Sequence, residues 1–253
     1  MCLSKSVLTC ALLAVTISAA HASELPDYQI RGDVLFNLPP PDRVALERFG
    51  TISLLDPRFG SASFTASGTP SPALVADADI GPSNTPIIFG RGSGFLTYFF
   101  EVLGASGEVP VLIDVAGAAT AFANTGASFA VESRWDLLDG GTSLAGDDIR
   151  SGQMTGSFDQ SFNRTVSLTL ATNHVYSVFM LADVGAAATL QGSRATGHAF
   201  VDPIFSLGPQ VDPLVYSFHF SDGVGNAIPE PRIISVLGAG FLLLGLVHLR
   251  KRA

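Results

Sequence analysis

Between Phe95 and Val102 the chain reads Phe-Leu-Thr-Tyr-Phe-Phe-Glu-Val, and this stretch limits the fold more than any other. In an extended strand, alternate side chains point to opposite faces. Leu96, Tyr98, Phe100 and Val102 then share one face; Phe95, Thr97, Phe99 and Glu101 share the other. A segment apolar on nearly both faces predicts a central strand with something packed on each side. Gly104-Ala105-Ser106-Gly107 follows, with the composition of a hairpin turn.

The rest of the body repeats the style. Strands are predicted at Val34–Phe36, Thr51–Leu55, Ser61–Ala66 and Ala73–Ile80, then at Val109–Ala123 and Ala127–Trp135. A wide turn is expected over Asp139-Gly140-Gly141 and Gly146-Asp147-Asp148. Further strands are expected at Thr165–Leu170, Val175–Ala182, Ala195–Phe205 and Leu214–Phe220, with Thr172-Asn173 turning the first into the second. Asp42 stands as a possible N-cap for one helical turn through Phe49. Some ten to twelve short strands, Gly/Ser/Thr turns and no long amphipathic helix predict an all-β protein, a jelly-roll-like β-sandwich. The stretches 49–135 and 152–221 are read as its two sheets, and 222–226 as a flexible spacer.

Both ends depart from this pattern. Residues 1–22 carry Lys5, an apolar run from Val7 to Ala19 and the small-residue site Ala20-His21-Ala22, so a signal peptide is expected with the mature chain beginning at Ser23. A lipoprotein site at Cys10 fits poorly, because most of the apolar run follows that cysteine. At the other end, Ile233–Leu249 holds no Asp, Glu, Lys or Arg. As a helix this run is about 25 Å long, near the thickness of a bilayer core. Arg250, Lys251 and Arg252 close the chain, which predicts a cytoplasmic C-terminus and a body on the other side of the membrane. Pro229-Glu230-Pro231 stands just before the span, extended because each proline biases the residue ahead of it.

Pro229-Glu230-Pro231, one hydrophobic span with small residues and a basic end occur in the order and place of a PEP-CTERM sorting signal, which this tail resembles. The resemblance covers about the last tenth of the chain. It implies recognition by an exosortase, a membrane-embedded cysteine protease-transpeptidase, in a Gram-negative host that makes exopolysaccharide. The expected route is export across the inner membrane, transient anchoring, then release to the cell surface or extracellular matrix.

Composition removes several function classes. Cys2 and Cys10 both lie in the signal peptide, so the body has no disulfide, thiolate metal site or cysteine nucleophile. Outside 23–227 lie Lys5, Glu230, Arg232, Arg250, Lys251 and Arg252, which leaves the body nine arginines, no lysine and twenty-one acids, a net charge of −12. Such a surface argues against nucleic acid or anionic lipid as partners.

No catalytic motif emerges. His174, His198 and His219 lack metal-ligand spacing to one another. Gly90-Arg91-Gly92-Ser93-Gly94 lacks the Lys-Ser/Thr of a phosphate loop and enters a strand, and it is not a G-x-S-x-G elbow. Asp77 and Asp79, or Asp136, Asp139, Asp147 and Asp148, are the acids a calcium ion would use, but their spacing matches no known calcium loop. Paired carboxylates for glycoside cleavage are spatial, and twenty-one acids offer no choice. Trp135, Tyr98, Tyr176 and Tyr216 are too few, and too inward by pattern, for an obvious sugar-stacking platform. The expectation is a non-enzymatic surface or matrix protein with no cofactor or metal. An exopolysaccharide-binding module is the alternative, and a secreted hydrolase the third reading.

Overall fold

The computed structural model describes residues 24–37, 42–82 and 87–226. The signal peptide with Ala20, Ala22 and Ser23, the motif Pro229-Glu230-Pro231, the apolar span and the cluster Arg250, Lys251 and Arg252 lie outside these residues. Among the described residues, no helix is long and apolar enough to cross a membrane.

The described chain is all-β, two antiparallel sheets packed as a sandwich. In chain order the strands are β1 (Gln29–Phe36), β2 (Asp42–Leu46), β3 (Gly50–Asp56), β4 (Gly60–Ser67), β5 (Ala73–Ile80), β6 (Ile88–Leu103) and β7 (Glu108–Ala123). They continue with β8 (Ala127–Asp139), β9 (Thr142–Met154), β10 (Gly156–Ala171), β11 (Val175–Ala188), β12 (Ala195–Leu207) and β13 (Ser217–Phe220). One sheet runs β2-β1-β6-β11-β8-β9, with β13 also paired to β6; the other runs β10-β7-β12-β5-β4-β3.

Period-two patterning places the side chains as expected. Leu96, Tyr98, Phe100 and Val102 are fully buried between the sheets, with Phe64, Leu74, Ile80, Val111, Ile113, Trp135, Val178 and Met180. Ser133, equally buried, reaches from β8 across the sandwich and donates to the carbonyl of Phe200 at 2.6 Å. Phe218 and Phe220 on β13 pack against Phe100 and Phe205, closing one end of the core with aromatic contacts at 5.8–6.1 Å.

Several expectations are corrected. The chain halves do not form one sheet each. From β5 to β8 successive strands alternate between sheets; β8 and β9 form a hairpin, and alternation then resumes. The turns at 104–107 and 172–173 are therefore crossings from one sheet to the other. The two crossings brace each other. Asn173, left-handed at φ 54°, donates its side-chain amide to Gly104 O, and Thr172 Oγ1 donates to Ala105 O.

Asp42 starts strand β2 and no helix forms there. Phe36 and Asp42 are register partners, and Arg43 reaches Asp33 at 2.7 Å, so pairing with β1 overrides the local capping signal. Gly146-Asp147-Asp148 lies inside β9, and the turn is confined to Gly140-Gly141. The last strand begins at Ser217, leaving Leu214 and Val215 exposed.

The stretch 222–226 is no loose spacer. Val224 is buried, Gly225 N–H donates to Gly68 O, and the Asn226 amide makes two bonds with the backbone of Phe205. Buried Ser221 joins both ends of the described chain. Its hydroxyl lies 2.8 Å from Pro26 O and accepts from Phe99 N–H at 2.9 Å. The residues that lead out of the body thus leave from one pole, beside the 68–72 and 104–107 turns. The opposite pole carries the connections at 57–59, 124–126 and 189–194.

Candidate binding face

The solvent side of the β10-β7-β12-β5-β4-β3 sheet carries a row that no local motif announces. Registers align Asp159 with Thr120, Thr120 with His198, His198 with Asp77, Asp77 with Ser63 and Ser63 with Ser53. Six strands contribute one polar side chain each. At a strand spacing of about 4.8 Å the row is roughly 24 Å long.

His198 Nδ1 lies 2.8 Å from Asp77 Oδ1, and Ser63 Oγ donates to Asp77 Oδ2 at 3.3 Å. The hydrogen bond and charge of Asp77 hold His198 above the ordinary imidazole value, while partial burial opposes the shift. Asp79, in the next row, pairs with Arg194 at 3.1 Å. Beside the row lies a shallow hollow of about 400 Å³, lined by Thr120, Phe122, Asp159, Thr196 and His198 among others. The Phe122 ring is 45% exposed, unusual for an aromatic on a sheet face. A larger hollow, about 620 Å³, follows the β2–β3 connection and its flanking residues, 45–52, and is lined by that one continuous segment.

This geometry argues against several chemistries. Ser63, Asp77 and His198 meet, but with the carboxylate in the middle. A nucleophilic serine needs the imidazole next to it, with the carboxylate behind. Asp77 and Asp159 stand three strands apart, about 14 Å, beyond the roughly 9.5 Å that an inverting pair of glycosidase carboxyls spans. Asp77 and Asp79 are closer, two residues apart on one strand face. Each faces a basic partner, so their surroundings do not separate an acid from a base.

The calcium candidates all face basic partners. Besides Asp77 and Asp79, Asp136 pairs with Arg134, Asp139 with His174, Asp147 with Arg164 and Asp148 with Arg150. Among the described residues, no three metal-ligating side chains gather. His219, the third body histidine, faces the buried carboxylate of Glu101 at 3.0 Å. Trp135, Tyr98 and Tyr176 are buried, as their pattern implied, and Tyr216 packs against the core.

Gly90-Arg91-Gly92-Ser93-Gly94 has a structural explanation. It forms the far half of β6, and a Cβ on Gly92 would strike the carbonyl oxygens of Ser63 and Asp77. These glycines let the two sheets approach closely. Arg91, facing outward, forms a two-point ion pair with Asp183. That other outer face is more apolar. Phe95 stacks on Phe179 at 6.1 Å, and Arg134 covers Phe179 at 5.8 Å.

No family model matches the chain, and no curated protein matches it. Among solved structures, the chain has a distant likeness to the VP2 subviral particle of infectious bursal disease virus. The identity is 11%, with 90% of this chain and 89% of that chain covered, at a TM-score of 0.18. The T13 viral particle of the same virus gives 9% identity over 80% of this chain and 84% of that chain, at 0.17. Scores this low carry no argument about function.

Proposed function

We propose that the chain is an exported, non-enzymatic surface or extracellular-matrix protein. A signal peptide ending at Ala22 starts its export. An exosortase then processes the tail at Pro229-Glu230-Pro231 while the span 233–249 holds the body at the inner membrane. The observation that carries this reading is the single pole of departure. Ser221, Gly225 and Asn226 pin the end of the body beside Pro26. A tail starting there leaves the opposite pole and both outer sheet faces clear of the membrane. A body without catalysis is favoured by the basic partners that face Asp77, Asp79, Asp136, Asp139, Asp147 and Asp148, by the distance of Asp159 from Asp77, and by the misordered Ser63-Asp77-His198 contact.

The body itself is a jelly roll in this reading. The orders β5-β12-β7-β10 and β6-β11-β8-β9, with strands alternating between sheets, are those of an eight-stranded roll made of two Greek keys. The β1-β2 and β3-β4 hairpins extend it. Exopolysaccharide of the host is the matrix such a protein would meet.

Mass spectrometry of the protein from its own cells tests the processing. The expected chain begins at Ser23 and ends near Pro229–Arg232. A chain running to Ala253 would overturn tail cleavage and leave a tail-anchored membrane protein in its place.

A further inference from the structure

The geometry points to the row Asp159–Thr120–His198–Asp77–Ser63–Ser53 as a binding site for an uncharged polysaccharide strand lying across the β-strands. Pitch is the first ground. Rungs spaced about 4.8 Å apart come close to the length of one pyranose unit in an extended chain. Successive sugars can then lie over successive rungs.

The second ground is the chemistry of the rungs. The side chains of Thr120, Ser53 and Asp159 make no protein hydrogen bond among the described residues, so two hydroxyls and one carboxylate on the outer face keep their capacity unspent. His198 uses Nδ1 on Asp77 and presents Nε2. Hydroxyls both donate and accept, and a carboxylate only accepts. The row therefore matches a ligand rich in hydroxyl groups. Asp159 has no basic partner to offset it, which disfavours an anionic polymer.

Phe122 supplies the third ground. Its half-exposed ring stands one row from His198, beside the hollow, and offers a flat apolar surface to the C–H face of a sugar. A protein partner fits less well. Phe122 is the single large apolar side chain exposed around the hollow, whereas a protein interface needs an apolar, desolvated centre. The row also lies on a sheet face, where strand addition cannot occur. Nothing in the row cleaves, for the reasons of order and distance given above, so the site binds and releases. It stands on the sheet face alone and does not depend on processing of the tail.

Calorimetry on detergent-solubilised full-length protein tests this. The probes are neutral glucans, mannans and galactans, their oligosaccharides of two to eight units, and alginate as an anionic counterpart. At least one neutral series should bind, with affinity rising up to about five units, the length of the roughly 24 Å row, and then levelling. Phe122→Ala and Thr120→Val should each weaken that binding about tenfold, while Phe179→Ala on the other sheet leaves it unchanged. Near-ultraviolet circular dichroism checks that each variant keeps the packing around Trp135; if one variant loses it, the other decides. The inference is overturned if no neutral polymer binds at millimolar concentration, if only alginate binds, or if the folded row variants bind like the parent. It is also overturned if Phe122→Ala dissolves a self-associated form of a protein that binds no sugar. The mature-chain mass reports on sorting separately, so either reading can fail without the other.

Discussion

The ring of Phe64 on β4 fills the space directly over Gly94 on the facing sheet, and the same ring covers Gly32, the register partner of Gly94. An aromatic on one sheet and a glycine pair on the other form one contact. Either half alone would leave a cavity or a clash.

Gly94→Ala should therefore destabilise the body by about 1–3 kcal/mol, the usual cost of overpacking. Urea unfolding, followed by the fluorescence of buried Trp135, reads this directly. The midpoint should fall with an unchanged slope. An unchanged midpoint would mean that the sheets can separate slightly without cost.

Asp77 should set the titration of His198. Its pairing raises the histidine above the ordinary value, so protonated His198 is favoured in the folded state. The sign follows by linkage: the stabilisation is fully present below about pH 6.5, the ordinary value, and fades as pH rises through the folded value. NMR titration should show the His198 midpoint falling back toward the ordinary value in Asp77→Asn. A midpoint that does not move would assign the shift to another group.

Arg164 ties the two edge strands on one side of the sandwich. From β10 its guanidinium donates to Gly146 O at 2.9 Å and pairs with Asp147, both on β9. The side chain is half exposed, so Arg164→Ala should cost less than about 1 kcal/mol overall. Locally the effect should be larger, with faster hydrogen exchange at amides near Gly146 and unchanged exchange in β6 and β11. Uniform exchange across the sheet would contradict a local clamp.

Ser221→Ala removes one hydroxyl from two partners, leaving Phe99 N–H without its side-chain acceptor and Pro26 O without its donor. A loss of about 1–3 kcal/mol is expected for buried groups left in this state. Limited proteolysis should cut the variant within 221–226 and spare the parent there. Equal cutting of both would show that the segment is held mainly by Asn226.

Most strands were legible in the sequence; β2, read as a helical turn, and β9, read as part of a wide turn, were not, and neither was sheet membership. Ala73–Ile80 and Val109–Ala123 alternate cleanly, and they are β5 and, with one added residue, β7. Alternation tells which face a residue takes, but not which strand lies alongside. Gly104–Gly107 therefore looks like a hairpin and is a crossing. Asp42 misleads because capping preference is local, whereas its pairing with Phe36 is tertiary. The row on the sheet face was out of reach for the same reason. His198 and Asp77 are 121 positions apart, and only register through five ladders brings the six side chains into line. Phe122 offered the one local signal, a large aromatic at the outward phase of an otherwise small-residue stretch.

The bond between Ser221 and Pro26 also bears on timing. Any chain synthesised or translocated N-terminus first delivers Pro26 nearly two hundred residues before Ser221. β1 must then wait for β6 to fix its place, and the Pro26 carbonyl waits longer still for its donor. A body stalled short of residue 217 has neither β13 over Phe100 nor the hydroxyl that joins its two ends. The contacts of β13 and Ser221 at the pole where the chain leaves can therefore form only once almost all of the body has emerged.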